Sequence, residues 1–179
     1  NKEARKLCTD NFRLKVNFHR PASFYTDEVL SNHFVFTFVR NPFERLLSAY
    51  EYIFATQRLY AVKHQKKYNF MEIPNNFTSF VKNFITLIPL ERSLVHFVTM
   101  KTFLDRNVDF IGRYENLNQD HKILLNKLNI PYKPIPLVNE TKTKKDRKHY
   151  TEYYNDETRK IVEDLYKDDL STFDYKFGD

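Results

Sequence analysis

Glycine is nearly absent: the 179 residues hold two, Gly112 and Gly178. Neither stands in a turn that opens a helix, so no complete glycine-rich loop is present to cradle a phosphate on backbone N–H groups. A kinase-type site is excluded as well, because no metal-holding acidic motif accompanies the missing loop. The single Cys8 rules out an internal disulfide and any multi-cysteine metal site, and it suits a reducing compartment. No run reaches the roughly 18–20 apolar residues needed to span a bilayer. The opening Asn1-Lys2-Glu3-Ala4-Arg5-Lys6 reads as charged helix rather than a secretory leader.

What is present favours a folded chain with an anionic partner. Hydrophobic residues make up 41% and aromatics 16%, enough to offset chain entropy, and the length fits one domain over residues 1–179. Lys and Arg outnumber Asp and Glu by 29 to 23, a net charge of +6. The excess points to a nucleotide, an acidic glycan or nucleic acid.

Strands and helices alternate along the chain. Phe12, Leu14, Val16 and Phe18 alternate with polar residues as in a half-buried strand, closed by His19. Thr26-Asp27-Glu28 opens a short helix to about Asn32. Residues 34–39 are almost unbroken apolar sequence, expected as a central strand covered on both faces. Asn41 then caps and Pro42 starts a helix with Phe43, Leu46, Leu47, Tyr50, Ile53 and Phe54 on one stripe. Residues 58–74 read as an exposed basic connection or a substrate-facing insertion, and Asn76 caps a second apolar-striped helix running to Ile88. A short helix is expected around 91–100, a strand at 109–114, a helix over 116–128, a basic loop over 139–148 and a last helix over 156–170. This order predicts an α/β fold, a parallel sheet flanked by helices.

Arg40 follows the central strand, at the carboxyl end where ligands of open α/β sheets gather. Its planar fork of donors matches phosphate, and the helix that begins beside it adds partial positive charge. Ser48 lies two turns into that helix, about 140° from Phe43 and off the apolar stripe, where its hydroxyl can reach the same phosphate. Singly, Arg40 could be a salt-bridged strand-end residue and Ser48 a solvated one.

Together, Phe36-Thr37-Phe38-Val39-Arg40-Asn41-Pro42-Phe43-Glu44-Arg45-Leu46-Leu47-Ser48-Ala49-Tyr50 resembles the 3′-phosphate-binding motif of sulfotransferases that use the nucleotide PAPS, particularly the carbohydrate-type family 2. The resemblance extends through Phe110-Ile111-Gly112-Arg113-Tyr114-Glu115-Asn116-Leu117 to the segment ending Phe173-Asp174-Tyr175-Lys176-Phe177. It implies a P-loop-like parallel sheet and transfer of a sulfuryl group from PAPS, leaving as PAP, to a hydroxyl acceptor such as a carbohydrate, with no metal. It assigns the 3′-phosphate to Arg40 and Ser48 and the adenine neighbourhood to Tyr114. Lys142 and Lys144 fall in a loop close to the nucleotide, and His96 on the substrate side. His19, 21 residues before Arg40, takes the place of the family's catalytic base, a role that an imidazole pKa near ~6.5 permits.

One family element is not found: a Lys/Thr/Ser-rich loop for the 5′-phosphosulfate has no counterpart before His19. The chain is therefore expected to lack an amino-terminal strand and loop. Two functions stay open on these grounds, an enzyme whose loop lies upstream and a catalytically inactive module that binds PAP or another polyanion. Nucleic acid ranks below both, since no aromatic platform interleaves with the basic run at Lys142, Lys144, Lys145, Arg147 and Lys148, which reads as a solvated loop. A cytoplasmic location is expected, or the Golgi lumen if a membrane anchor precedes the chain.

Overall fold

The computed structural model describes residues 20–52, 74–87, 96–136 and 147–179. The strand expected over 12–18, the connection over 58–73 and the 139–146 part of the basic loop lie outside them.

β1 (Phe36–Val39) forms within the apolar run and pairs in parallel with β2 (Phe110–Arg113). Phe36 lies opposite Phe110, Phe38 opposite Gly112 and Val39 opposite Arg113. Asp109 fixes this register at its start. Val35 N–H donates to Asp109 Oδ2 at 2.7 Å, and Asp109 N–H donates to Val35 O at 2.7 Å. Burial along β1 is graded, from 47% exposure at Phe36 to 2% at Val39, which corrects the expectation of cover on both faces. Among the described residues β1 has β2 alone as neighbour, and packing is densest at its carboxyl end, where Val39 meets Phe173 and Tyr175.

Helix α1 (Asp27–Asn32) starts as read, with Thr26 Oγ1 accepting Val29 N–H at 3.3 Å. Helix α2, described over 42–52, follows β1 after only two residues. Asn41 caps it: Oδ1 accepts Phe43 N–H at 3.0 Å, and its carbonyl accepts Arg45 N–H at 2.8 Å. Pro42 brings no N–H that would need a partner there. Phe43, Leu46, Leu47 and Tyr50 turn inward to Phe80, Val81, Ile85 and Phe97, forming the main core with Tyr150, Val162 and Tyr166.

Winding departs from the regular helices that periodicity predicts in two places. Asn76 does cap its helix, accepting Ser79 N–H at 2.8 Å, but α3 (Phe77–Ser79) passes into a π turn at Phe80–Phe84 and a 3-10 turn at Ile85–Leu87. Helix α4 (Leu117–Lys127) follows β2 as expected, burying Leu124. The single helix expected over 156–170 is two, α5 (Asp156–Leu165) and α6 (Lys167–Phe173), broken at Tyr166. Tertiary contacts accompany the break. The buried Tyr166 donates its O–H to Phe97 O at 2.8 Å, and the Asp169 carboxylate accepts the N–H groups of Met100 and Lys101, each at 2.8 Å. Residues 96–100, expected to end a short helix, are accordingly turns and bends.

Candidate functional site

Arg40 sits where β1 gives way to α2. Its backbone N–H points to Met100 Sδ at 3.4 Å, and its side chain folds back over its own helix, Nη2 donating to Glu44 Oε1 at 2.6 Å. The guanidinium carbon lies 4.3 Å from the centroid of the Tyr114 ring, within cation–π range. Nε is buried and has no hydrogen-bond partner. Glu44 Oε1 also accepts from Arg147 Nη1 at 2.7 Å, while Arg147 Nε donates to Glu51 Oε1 at 2.9 Å and Arg147 Nη2 is buried without a partner. Two arginines and two glutamates thus alternate along one face of α2. Burial works to raise the Glu44 carboxyl pKa, but the charges and bonds of Arg40 and Arg147 outweigh it and hold it below 4.5. At Glu51 burial prevails over Arg147 and the pKa is raised.

The residues around Arg40 are tied to the far end of the sequence. Glu115 accepts Asn41 N–H at 2.7 Å on one oxygen and Tyr175 O–H at 2.7 Å on the other. Burial, followed by Glu115, pushes the Tyr175 hydroxyl pKa far above its usual value, so it stays a donor. Asn41, fully buried, gives Nδ2 to Lys176 O at 2.9 Å and to Tyr150 Oη at 3.3 Å. Beside this lattice opens a cavity of about 270 Å³ lined by Glu44, Tyr114, Glu115, His149, Tyr150 and Asp179. A strand-end arginine and a capped helix thus adjoin a cavity walled by the rings of Tyr114 and Tyr150 and by the carboxylates of Glu44, Glu115 and Asp179.

Residues 1–176 match the model of the Sulfotransferase family. The chain belongs to the sulfotransferase family. No curated protein and no solved structure matches it. Sulfuryl transfer is the general chemistry of this family, carried here by a mixed fold with a small parallel sheet flanked by helices.

Of the residues singled out in this sulfotransferase, Arg40 and Tyr114 are in contact. Ser48 is partly buried on α2, one turn beyond Glu44 and three residues before Glu51, on the strip that Arg147 spans. His96 lies elsewhere. Its ring packs 5.4 Å from that of Tyr52, ten residues and about 15 Å along α2 from its start. His19, Lys142 and Lys144 lie outside the described residues. Among the described residues no group of three or more His, Cys, Asp or Glu could hold a metal, and no helix is long and apolar enough to cross a membrane.

Three participants were not legible as such. Glu44 carries a local signal, being four residues after Arg40 on the same helix face. Arg147 carries none, because its partner Glu44 is 103 residues away; far from being a solvated loop residue, its side chain is only 11% exposed. His149, which no motif singles out, is exposed and lines the cavity, with Nδ1 2.8 Å from Thr151 Oγ1.

Proposed function

We propose that this sulfotransferase uses PAPS as donor and a hydroxyl acceptor of the carbohydrate class, and that Arg40 and Ser48 hold the nucleotide's 3′-phosphate. The observation that carries the reading is the buried Arg40 Nε–H without an acceptor, beside the amino end of α2. A donor left unpaired in a dry site is costly unless something fills it, and a phosphate oxygen does so while meeting the guanidinium charge. Tyr114 lies beneath the guanidinium and also lines the cavity, which suits a base next to the 3′-phosphate.

PAPS supplies the sulfuryl group when bound. In the same reading Lys142 and Lys144 add positive charge near the nucleotide. His19 takes the proton from the acceptor hydroxyl, with His96 the other histidine to be tested in that role.

Charge-assisted hydrogen bonds are worth about 1.5–3 kcal/mol, so Arg40→Ala should weaken PAP binding about ten- to a hundredfold by titration calorimetry. Arg40→Lys should also lose affinity, because the two-pronged donor is gone. His19→Ala should leave PAP affinity nearly unchanged and lower turnover by about 10²–10⁴, the share of a general base. A folded Arg40→Ala protein with unaltered PAP affinity would remove the site assignment. PAP binding without any turnover of PAPS by the full-length protein would favour an inactive binding module.

A further inference from the structure

We propose that Arg147 is a positioning residue of the anion site: it cancels the charge of Glu44, so that Glu44 can hold Arg40 in place without repelling the 3′-phosphate. The inference rests on the reading of Arg40 as the 3′-phosphate ligand and adds a residue that reading does not contain.

Arg40 has a long, flexible stem and needs an anchor to present its remaining N–H groups. Glu44 is that anchor, 2.6 Å from Nη2, with the Tyr114 ring centroid 4.3 Å from the guanidinium carbon. A carboxylate so close to a phosphate site would by itself be a liability. Its charge offsets that of Arg40, and like charges repel strongly where water is largely excluded, as it is at Arg40 and Glu44, with side chains 17% and 19% exposed.

Arg147 resolves the conflict. Its Nη1 donates to the same Glu44 oxygen at 2.7 Å, so the sum over Arg40, Glu44 and Arg147 is one positive charge, while Glu115 and Asp179, which also line the cavity, accept from Tyr175 O–H and Lys176 N–H. Glu51 in turn orients Arg147 through Nε, but it stands seven residues and about 10 Å farther along α2, and burial raises the pKa of its carboxyl. Arg147 Nη2, buried and unpartnered, keeps a further donor on the strip that carries Ser48.

The test is a double-variant cycle in the full-length protein, read by titration calorimetry with PAP. Adenosine 5′-phosphosulfate, which lacks the 3′-phosphate, serves as the control ligand. Arg147→Ala should weaken PAP binding about tenfold or more, and adding Glu44→Gln should restore most of that loss, since adjacent charges couple by factors of this order. Affinity for the control nucleotide should stay within about twofold, an effect that a merely structural role for Arg147 would not spare.

Equal losses for both nucleotides, or losses that simply add in the double variant, overturn the proposal. If Arg147→Ala does not fold, the Glu44→Gln/Arg147→Gln pair replaces it. Removing both charges together should keep PAP affinity within about fivefold of wild type, and a loss as large as that of Arg40→Ala overturns the role. Unchanged affinity in Arg147→Ala beside a lost affinity in Arg40→Ala defeats this inference and leaves the nucleotide reading standing. No loss in Arg40→Ala defeats both.

Discussion

Replacing Gly112 with alanine would set a methyl carbon 2.6 Å from Phe38 Cδ1, nearer still to Cε1, and 3.1 Å from Phe110 Cε1. Carbon atoms rest about 3.5–4.0 Å apart, so the Phe38 ring would have to move by roughly 1 Å. It is not free to do so without loss, because it packs edge-on against Phe110 with centroids 6.2 Å apart. Two effects oppose each other. Alanine removes the entropic disadvantage of glycine in a strand, roughly 0.5–1 kcal/mol. Overpacking costs about 1–3 kcal/mol, which leaves a net loss of about 0–2.5 kcal/mol, about 1.2 kcal/mol at the middle of both ranges. With a denaturant slope of about 2 kcal/mol per molar urea, the middle of that range lowers the unfolding midpoint by about 0.6 M. Phe38→Ala clears the space, so in that background Gly112→Ala should be neutral or stabilising. Because Tyr114 follows two residues later and lies under Arg40, PAP affinity should fall along with stability. A Gly112→Ala protein as stable as wild type, or an equal penalty with and without the Phe38 ring, would refute the steric argument.

Asn41→Ala should lose about 1 kcal/mol for the helix cap and about 0.5–1.5 kcal/mol for the hydrogen bond to the Lys176 carbonyl, which keeps Asp179 N–H at 3.4 Å, about 1.5–2.5 kcal/mol in all by urea unfolding. A loss well under about 1 kcal/mol would show that the cap and the tether are not both made. Glu44 gives a pH signature. Its native pKa lies below 4.5, so the stability it contributes is complete above that pH and is lost as pH falls through the lower native value. The midpoint difference between wild type and Glu44→Gln should therefore hold steady down to about pH 5 and shrink only below 4.5. A difference that already declines between about pH 7 and 5 would mean that Glu44 is not held ionised by its arginines.

Features encoded within a few residues were readable before any coordinates. Thr26, Asn41 and Asn76 cap helices as their side chains predict, and Arg40 ends a strand because Asn41 and Pro42 turn the chain into α2. Features decided across the fold were not. Tyr166 sits in an apolar period that reads as uninterrupted helix, and its hydrogen bond to Phe97, 69 residues away, accompanies the departure from helical geometry there. Arg147 belongs by composition to a lysine-rich run, and only Glu44 and Glu51 single it out. Of the site itself, the arginine and its helix were legible, while the carboxylates and the second arginine that set its charge depended on tertiary contact. The graded burial of β1 was equally hidden, since an apolar run states what can be buried and not what covers it.

The tether between Asn41 and Lys176 spans 135 residues, and it has a consequence for the order in which the protein comes into being. At a synthesis rate of about 5–20 residues per second, α2 leaves the ribosome roughly 7–27 s before its amino end meets the segment that secures it. During that interval α2 can form on its own cap, but Glu115 lacks Tyr175 and Asn41 lacks Lys176. Long-range closure of this kind is slow relative to helix formation. The secondary structure around Arg40 therefore precedes the tethers that secure it, and a lesion in residues 173–178 should yield a chain with near-normal helix content in which the proposed PAP binding is weakened.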